Sequence, residues 1–296
     1  MMPRDASPLA RFTRDYFASR IAVIGLLALL LILLAALLAP VLAPQNPYDL
    51  ARLDIADSRL APGSAAADGR LTYLLGTDEQ GRDMLSAMLY GLRISIAVGV
   101  ASTAAALLIG LAAGLIAGYA GGRTDALIMR VADIQLSFPP ILIALVLLAI
   151  SGPGVGKIIL ALITVQWAYY ARTARSAALV ERGKEYIEAA VGLGLSTPRI
   201  VLRHLLPNCL PPLIVVAALQ VASAITLEAT LSFLGLGLPV TEPSLGLLIS
   251  NGFQYLLSGA YWISVYPGIA LLVTVAAINL VADQLRDVLN PRLQGI

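Results

Sequence analysis

Six long apolar stretches, at about 21–43, 92–118, 125–150, 157–179, 210–233 and 262–283, constrain this chain more than any other feature. A helix needs roughly 20 apolar residues to cross the hydrocarbon core of a bilayer. The stretches therefore predict an all-α integral membrane protein with six transmembrane helices. The fourth and fifth are the least clean, because Gln166, Gln220 and Glu228 interrupt them. Only 13% of the 296 residues are charged and 58% are hydrophobic, too little charge to cover a soluble domain of this size.

The formal net charge of +2, with no basic run, gives no reason to expect a nucleic-acid partner. Cys209 is the only cysteine and His204 the only histidine. An intramolecular disulfide is thus impossible, and no cysteine-based or histidine-rich metal centre is expected. The N-terminal MMPRDASPLARFTRDYFASR is basic and runs into an apolar segment too long for a signal-peptide core, without a clean cleavage site. It reads as a retained first membrane helix.

Lys and Arg set the orientation. Arg4, Arg11, Arg14 and Arg20 precede the first stretch, and Arg123 and Arg130 lie near the link at residue 122. Arg172, Arg175, Arg182, Lys184, Arg199 and Arg203 surround the link between the fourth and fifth, and Arg286 and Arg292 follow the sixth. The link at 234–261 has neither Lys nor Arg. Six spans with both termini cytoplasmic is the consistent solution. Residues 44–91 then lie outside, although they hold Arg52, Arg59, Arg70 and Arg82 among a larger number of acids. The chain divides at this point into 1–91 (cytoplasmic segment, first span and outer segment) and 92–296 (a core with five spans).

Within the outer segment, Thr77 followed by Gln80 fits a capping box. Met84, Leu85, Met88 and Leu89 form an apolar stripe, so a helix lying at the outer membrane surface is expected to lead into the second span. Gly110, Gly114, Gly118 and Gly122 recur every four residues, a spacing that lets helix backbones approach closely in lipid. SGPGVGKI, 151–158, resembles a phosphate-binding loop, but Ser151 and Ile158 occupy positions that require Gly and Ser or Thr. No ATP site is expected in this chain.

No nucleophile–base pair suggests catalysis. Asp133, Gln166 and Glu228 are the polar candidates at membrane depth, where charge usually faces a cavity or a partner group. Each either lines a pathway or makes an interhelical hydrogen bond, and the residues alone leave both open.

A charged segment separates the fourth and fifth stretches: EYIEAAVGLGLSTPRIVLRHLLPN, 185–208. Lys184 to Leu193 favours a helix, and Gly194 suits the left-handed residue that ends one. Thr197 fits the next N-cap and Pro198 its first position, and that second helix is expected to stop by Pro207. The segment about 181–208 thus predicts a helix–Gly–helix hairpin on the cytoplasmic side, with Ala189 and Ala190 on a small-residue face.

The spacing of Glu188-Ala189-Ala190, Gly194 and His204-Leu205-Leu206-Pro207 resembles the EAA loop of binding-protein-dependent ABC importers. LLGTDEQGRDMLS (74–86), GYAGGRTDALIMRVADIQLSFPP (118–140), LSFLGLGLPVTEPSLG (231–246) and INLVADQLRDVLNPRL (278–293) are similar to the C-type permease of the dipeptide/oligopeptide/nickel family. Leu245 departs from the usual Trp of its P-x-W-G pattern. The resemblance implies a type I ABC importer permease fold in a bacterial inner membrane. It assigns ATPase coupling to Glu188, Ala189, Ala190, Gly194, His204, Leu206 and Pro207. The implied partners are a homologous second permease, two cytoplasmic ATPase subunits that carry ATP and Mg²⁺, and an extracytoplasmic substrate-binding protein. The implied ligands are dipeptides or oligopeptides, with nickel complexes, opines and glutathione as alternatives. An ion-coupled secondary transporter would show internal repeats with broken helices, and no convincing repeat relates the two halves. A membrane enzyme would need clustered acids or a Ser/His pair.

Overall fold

The computed structural model describes residues 8–49, 53–239 and 241–289. Arg4, Arg52, Arg292, the Arg11 side chain and the end of the C-terminal motif lie outside the described residues. Helices α1 (Pro8–Phe17), α2 (Arg20–Leu37) and α3 (Ala39–Leu42) open the fold. Tyr16 and Ala22 are buried against Val288 near the chain's other end, so the two terminal regions brace one another. Ser19 starts α2 by accepting the Ala22 amide at 3.3 Å.

Residues 53–83, expected outside, form a small polar layer. Strands β1 (Ser64–Ala65) and β2 (Thr72–Tyr73) pair antiparallel, with Ser64 opposite Tyr73. Asp57 anchors them, its carboxylate accepting the Tyr73 hydroxyl and the Ala67 amide, both at 2.8 Å. Replacing Tyr73 with Phe removes a charge-assisted bond from a buried site, and about 2 kcal/mol of stability should go with it. Thermal unfolding in detergent checks this; an unshifted midpoint would show that the hairpin is not coupled to the rest.

The expected capping box at Thr77 and Gln80 does not form. Thr77 is buried, donating to the Asp57 carbonyl at 2.5 Å and accepting the Leu60 amide at 2.7 Å. Asp78 instead gathers the loop, accepting from the Gln80 and Arg82 amides and from Arg82 Nε at 2.6 Å. The real cap is Asp83, whose carboxylate accepts the Ser86 amide at 2.8 Å and the Ser86 hydroxyl at 2.5 Å. Burial pushes this carboxyl above its ordinary range, opposed by those Ser86 bonds.

No separate surface helix follows. Helix α4 (Met84–Ala120) runs without interruption for 37 residues, and the expected boundary at 91/92 falls inside it. Its first apolar turn is covered: Met84 packs with Trp262 and Ile263. Trp262 Nε1 in turn donates to the Thr77 carbonyl at 3.1 Å, tying the outer layer to the last helix.

Next come α5 (Gly122–Leu136), α6 (Pro140–Ser151), α7 (Val155–Arg182), α8 (Glu185–Gly192) and α9 (Thr197–Ile200). A π-helical turn at Val201–Leu205 leads into α10 (Leu206–Phe233), then α11 (Leu245–Phe253) and α12 (Trp262–Leu289). Among the described residues, four helical stretches are long and apolar enough to cross a membrane: Arg20–Leu37, Met84–Ala120, Thr197–Phe233 and Trp262–Leu289. A fifth is added if α5 and α6 count as one.

The expected span at about 125–150 is bent by 86° between α5 and α6. Pro139 and Pro140 cannot donate into an α-ladder, and Pro139 forces Phe138 out of the helical region. Helix α7 has the length of a span, but Gln166, Arg172 and Arg175 dilute its apolar character.

The glycine spacing marks the tightest helix pair. A Cβ on Gly110 would lie 2.4 Å from the Trp167 carbonyl, one on Gly114 2.4 Å from that of Ala171, and one on Gly118 2.6 Å from Ala178 Cβ. Three of the four glycines therefore seat α4 directly on α7. Gly122 stands apart, at the start of α5, with open space where a Cβ would be.

Leu245, the departure from P-x-W-G, is buried with Ala36 and Leu92. Ser244 caps α11 by accepting the Leu247 amide at 3.2 Å.

Candidate functional site

The hairpin at 185–200 is built by a backbone device that glycine makes possible. Helix α8 ends at Gly192, and Gly194 follows with φ +71°. The Leu195 amide bonds back to the Ala190 carbonyl at 3.2 Å and the Gly194 amide to that of Val191 at 2.9 Å. This paired closure satisfies the last carbonyls of the helix and requires a left-handed residue at Gly194. Leu195 then packs with Ile187, Ala190 and Ile200 against Tyr119 at the end of α4, fixing the hairpin to the helical body.

The second helix differs from expectation at both ends. Its N-cap is Ser196 rather than Thr197, with the Ile200 amide bonding to the Ser196 carbonyl at 3.0 Å. Nor does it stop at Pro207: α9, the π turn and α10 form one stretch from Thr197 to Phe233. The π turn shifts the hydrogen-bonding register just before Pro207, which sits in the first turn of α10. There its missing amide costs little.

The coupling candidates fall into two groups. Glu188, Ala189 and Gly194 are exposed, whereas Ala190 is buried in the hairpin's contact with the body. Pro207 is exposed and His204 and Leu206 are half-buried, one helical stretch further on. Both groups belong to the assembly formed where α7, α8, α9 and α10 meet.

Three residues that sequence reasoning passed over hold that assembly together. Glu181 accepts Lys184 Nζ and the Tyr186 hydroxyl, both at 2.6 Å. Asn208 donates to the Tyr186 oxygen at 3.2 Å and to the His204 carbonyl at 2.7 Å. Burial and the bond to Glu181 push the Tyr186 phenol up to about 12. The network joins the end of α7, the start of α8 and the start of α10. Its only sequence trace was polar residues scattered over 28 positions, with no period to connect them.

Tyr186→Phe should loosen the hairpin by about 1–2 kcal/mol, seen as faster amide exchange at 185–200 without a change in α4. Unchanged exchange would mean that the apolar contact alone holds it.

The membrane-depth candidates separate cleanly. Glu228 is fully buried, accepting the Ser95 hydroxyl of α4 and the Ser232 hydroxyl of its own helix, both at 2.8 Å. Gln166 is also buried, accepting Thr103 Oγ1 and donating to the Gln220 carbonyl, both at 3.2 Å. Asp133 is exposed and paired with Arg172 of α7. The three do not meet. Below Asp133, Asp125 and Arg175 form a second, bidentate link between α5 and α7, at 2.5 and 2.6 Å. Among the described residues no group of acids, His or Cys could hold a metal ion.

Residues 110–295, which include the hairpin, match the family described as binding-protein-dependent transport system inner membrane component. The chain belongs to this family. Residues 7–62 further match the N-terminal transmembrane domain of oligopeptide transport permease C. A dipeptide transport system permease of Escherichia coli is 42% identical over 99% of this chain and 96% of its own length. A di/tripeptide transport system permease of Pseudomonas aeruginosa is 40% identical over 98% and 94%. The fold is shared with the MetNI methionine ABC transporter, at TM-score 0.58 and 21% identity over 70% of this chain and 98% of that one. As a member of the inner membrane component family, the chain is a multi-pass permease.

Proposed function

We propose that this permease is one half of the translocation pathway of an ATP-driven importer of dipeptides or other short peptides. The observation that carries the reading is near-full-length identity of about 40% to permeases named for dipeptide and di/tripeptide transport. In this reading the chain has six spans, with α5–α6 and α7 counted among them, and both termini are cytoplasmic, in the inner membrane of a bacterium. Residues 1–91 form an N-terminal unit and 92–296 the permease core. A homologous second permease completes the pathway. Two ATPase subunits, which bind ATP and Mg²⁺, seat on the two hairpins, and a substrate-binding protein delivers ligand from outside.

The hairpin acts as a rigid lever. Its apolar seat on Tyr119 and the Glu181–Tyr186–Asn208 network tie it to α4, α7 and α10, so movement of an ATPase pair would reach three helices at once. Nucleotide can shift the inward- and outward-open populations only by binding one more tightly than the other. Glu188, Ala189, Ala190, Gly194, His204, Leu206 and Pro207 are the coupling residues.

The test is purification of the chain with its associated subunits, reconstitution, and ATP hydrolysis measured with and without binding protein and dipeptide. Hydrolysis stimulated by loaded binding protein is expected. Stimulation by a nickel complex or glutathione but not by dipeptide would replace the ligand. Absence of any co-purifying ATPase would remove the importer reading.

A further inference from the structure

We infer that the break between α5 and α6, with the ion pair beside it, is the ligand-contacting face of this subunit, suited to the charged ends of a short peptide. The inference rests on the importer reading above and assigns it a site. Two ion pairs link α5 to α7, and they differ in kind. Asp125 and Arg175 are 16% and 32% exposed and joined by two bonds. Asp133 and Arg172 are 53% and 55% exposed and joined by one. The first is a strut. The second leaves both charged side chains largely accessible.

Arg172 lies inside the 28-residue α7, away from both of its ends. Charge at such depth is rarely turned to lipid and ordinarily faces a cavity or pathway. An independent feature shares this surface. Ser137, Phe138 and Pro139 interrupt the helical ladder within a segment otherwise apolar enough to span. Non-helical backbone at membrane depth is tolerated only against protein or a water-filled cavity. Phe138 is 57% exposed, and Tyr169, one turn from Arg172, is 39% exposed. Both flank Gln135 across a crevice too narrow to admit a water molecule, so it is their exposed faces that a ligand would meet.

These groups match a zwitterionic peptide. Asp133 can take an ammonium group and Arg172 a carboxylate through two parallel N–H bonds. Phe138 and Tyr169 offer apolar faces that tolerate varied side chains. With no ligand the two charges satisfy each other, so the empty face stays neutral. A peptide that separates them replaces each charge's partner with its own opposite end.

The sole cysteine, Cys209, is buried, so Cys209→Ser gives a clean background for single cysteines. Phe138→Cys and Tyr169→Cys are placed there, with Leu108→Cys, 68% exposed on α4, as a lipid-side control. The whole complex is reconstituted in proteoliposomes that import alanylalanine and treated with a membrane-impermeant cationic methanethiosulfonate. The first two should be labelled in at least one nucleotide state and the control in none. At ten times its half-protecting concentration, alanylalanine should slow that labelling about tenfold. Separately, Asp133→Asn and Arg172→Gln should each lower uptake about tenfold, the worth of one charge-assisted bond.

No labelling in any nucleotide state would overturn the inference, placing the face against lipid or the second permease. So would labelling that an imported dipeptide does not slow. If the wild-type complex imports no dipeptide, the peptide reading falls and this site with it; if it imports but the labelling pattern fails, only the site falls.

Discussion

Gly194→Val is expected to cut ligand-stimulated transport sharply while leaving the protein folded. Gly194 holds φ +71°, and a Cβ there would meet nothing within 4 Å, so the substitution creates no clash. The cost is conformational. A left-handed backbone costs an ordinary L-residue about 1–2 kcal/mol, and a β-branched one avoids it more strongly. The chain relieves that strain by abandoning φ > 0, which breaks the two bonds closing α8 and redirects the hairpin. Stimulated ATP hydrolysis and peptide uptake in the reconstituted complex should fall at least about tenfold, given that each 1.4 kcal/mol is a factor of ten. Gly194→Asn, which tolerates the left-handed region, should retain most activity. Gly192→Ala, at a helical position with open space around it, should retain nearly all. Wild-type transport by Gly194→Val would show that the closure of α8 does not matter to coupling.

Gly114→Leu should have the opposite signature, a loss of folded protein rather than of coupling. The new Cβ would sit 2.4 Å from the Ala171 carbonyl and 2.6 Å from Ala174 Cβ, both held by helix geometry. Relief requires α4 and α7 to separate, which also strains the Thr103–Gln166 bond between them. Overpacking costs about 1–3 kcal/mol where the surroundings can shift. This site, pressed against backbone, should reach or pass the upper end. The readout is the unfolding midpoint and the monodisperse fraction in detergent. Gly156→Ala, on α7 but with open space around it, is the control and should be neutral or slightly stabilising. An unchanged midpoint for Gly114→Leu would mean that the two helices are not held at the distance seen here.

Much of the architecture was legible because the bilayer constrains sequence so strongly. Long apolar runs, the four-residue glycine period and Gly194 each report a local requirement: a length, a small surface, a backbone angle. The failures were also local. Thr77 and Gln80 had the right spacing for a capping box, yet Thr77 was recruited by Asp57 and Leu60 and the cap passed to Asp83. Pro207 looked like a terminator, but a π turn moved the register so that its missing amide fell in a first turn. The rule for proline held; its position in the helix could not be read without the preceding turn.

What the sequence determined by itself was membership in a membrane class, the tight α4 surface and the left-handed closure of the hairpin. Each depends on residues near one another in the chain, or on the bilayer, which every span meets alike. Tertiary structure alone decided which polar groups are buried and which are open. Asp133, Gln166 and Glu228 were equivalent on the page. Glu228 is enclosed by Ser95 and Ser232, Gln166 by Thr103 and the Gln220 carbonyl, while Asp133 shares an exposed edge with Arg172. The partners come from helices up to 133 residues away. Only the packing of those helices brings them within hydrogen-bonding distance, and no periodicity in the chain encodes it.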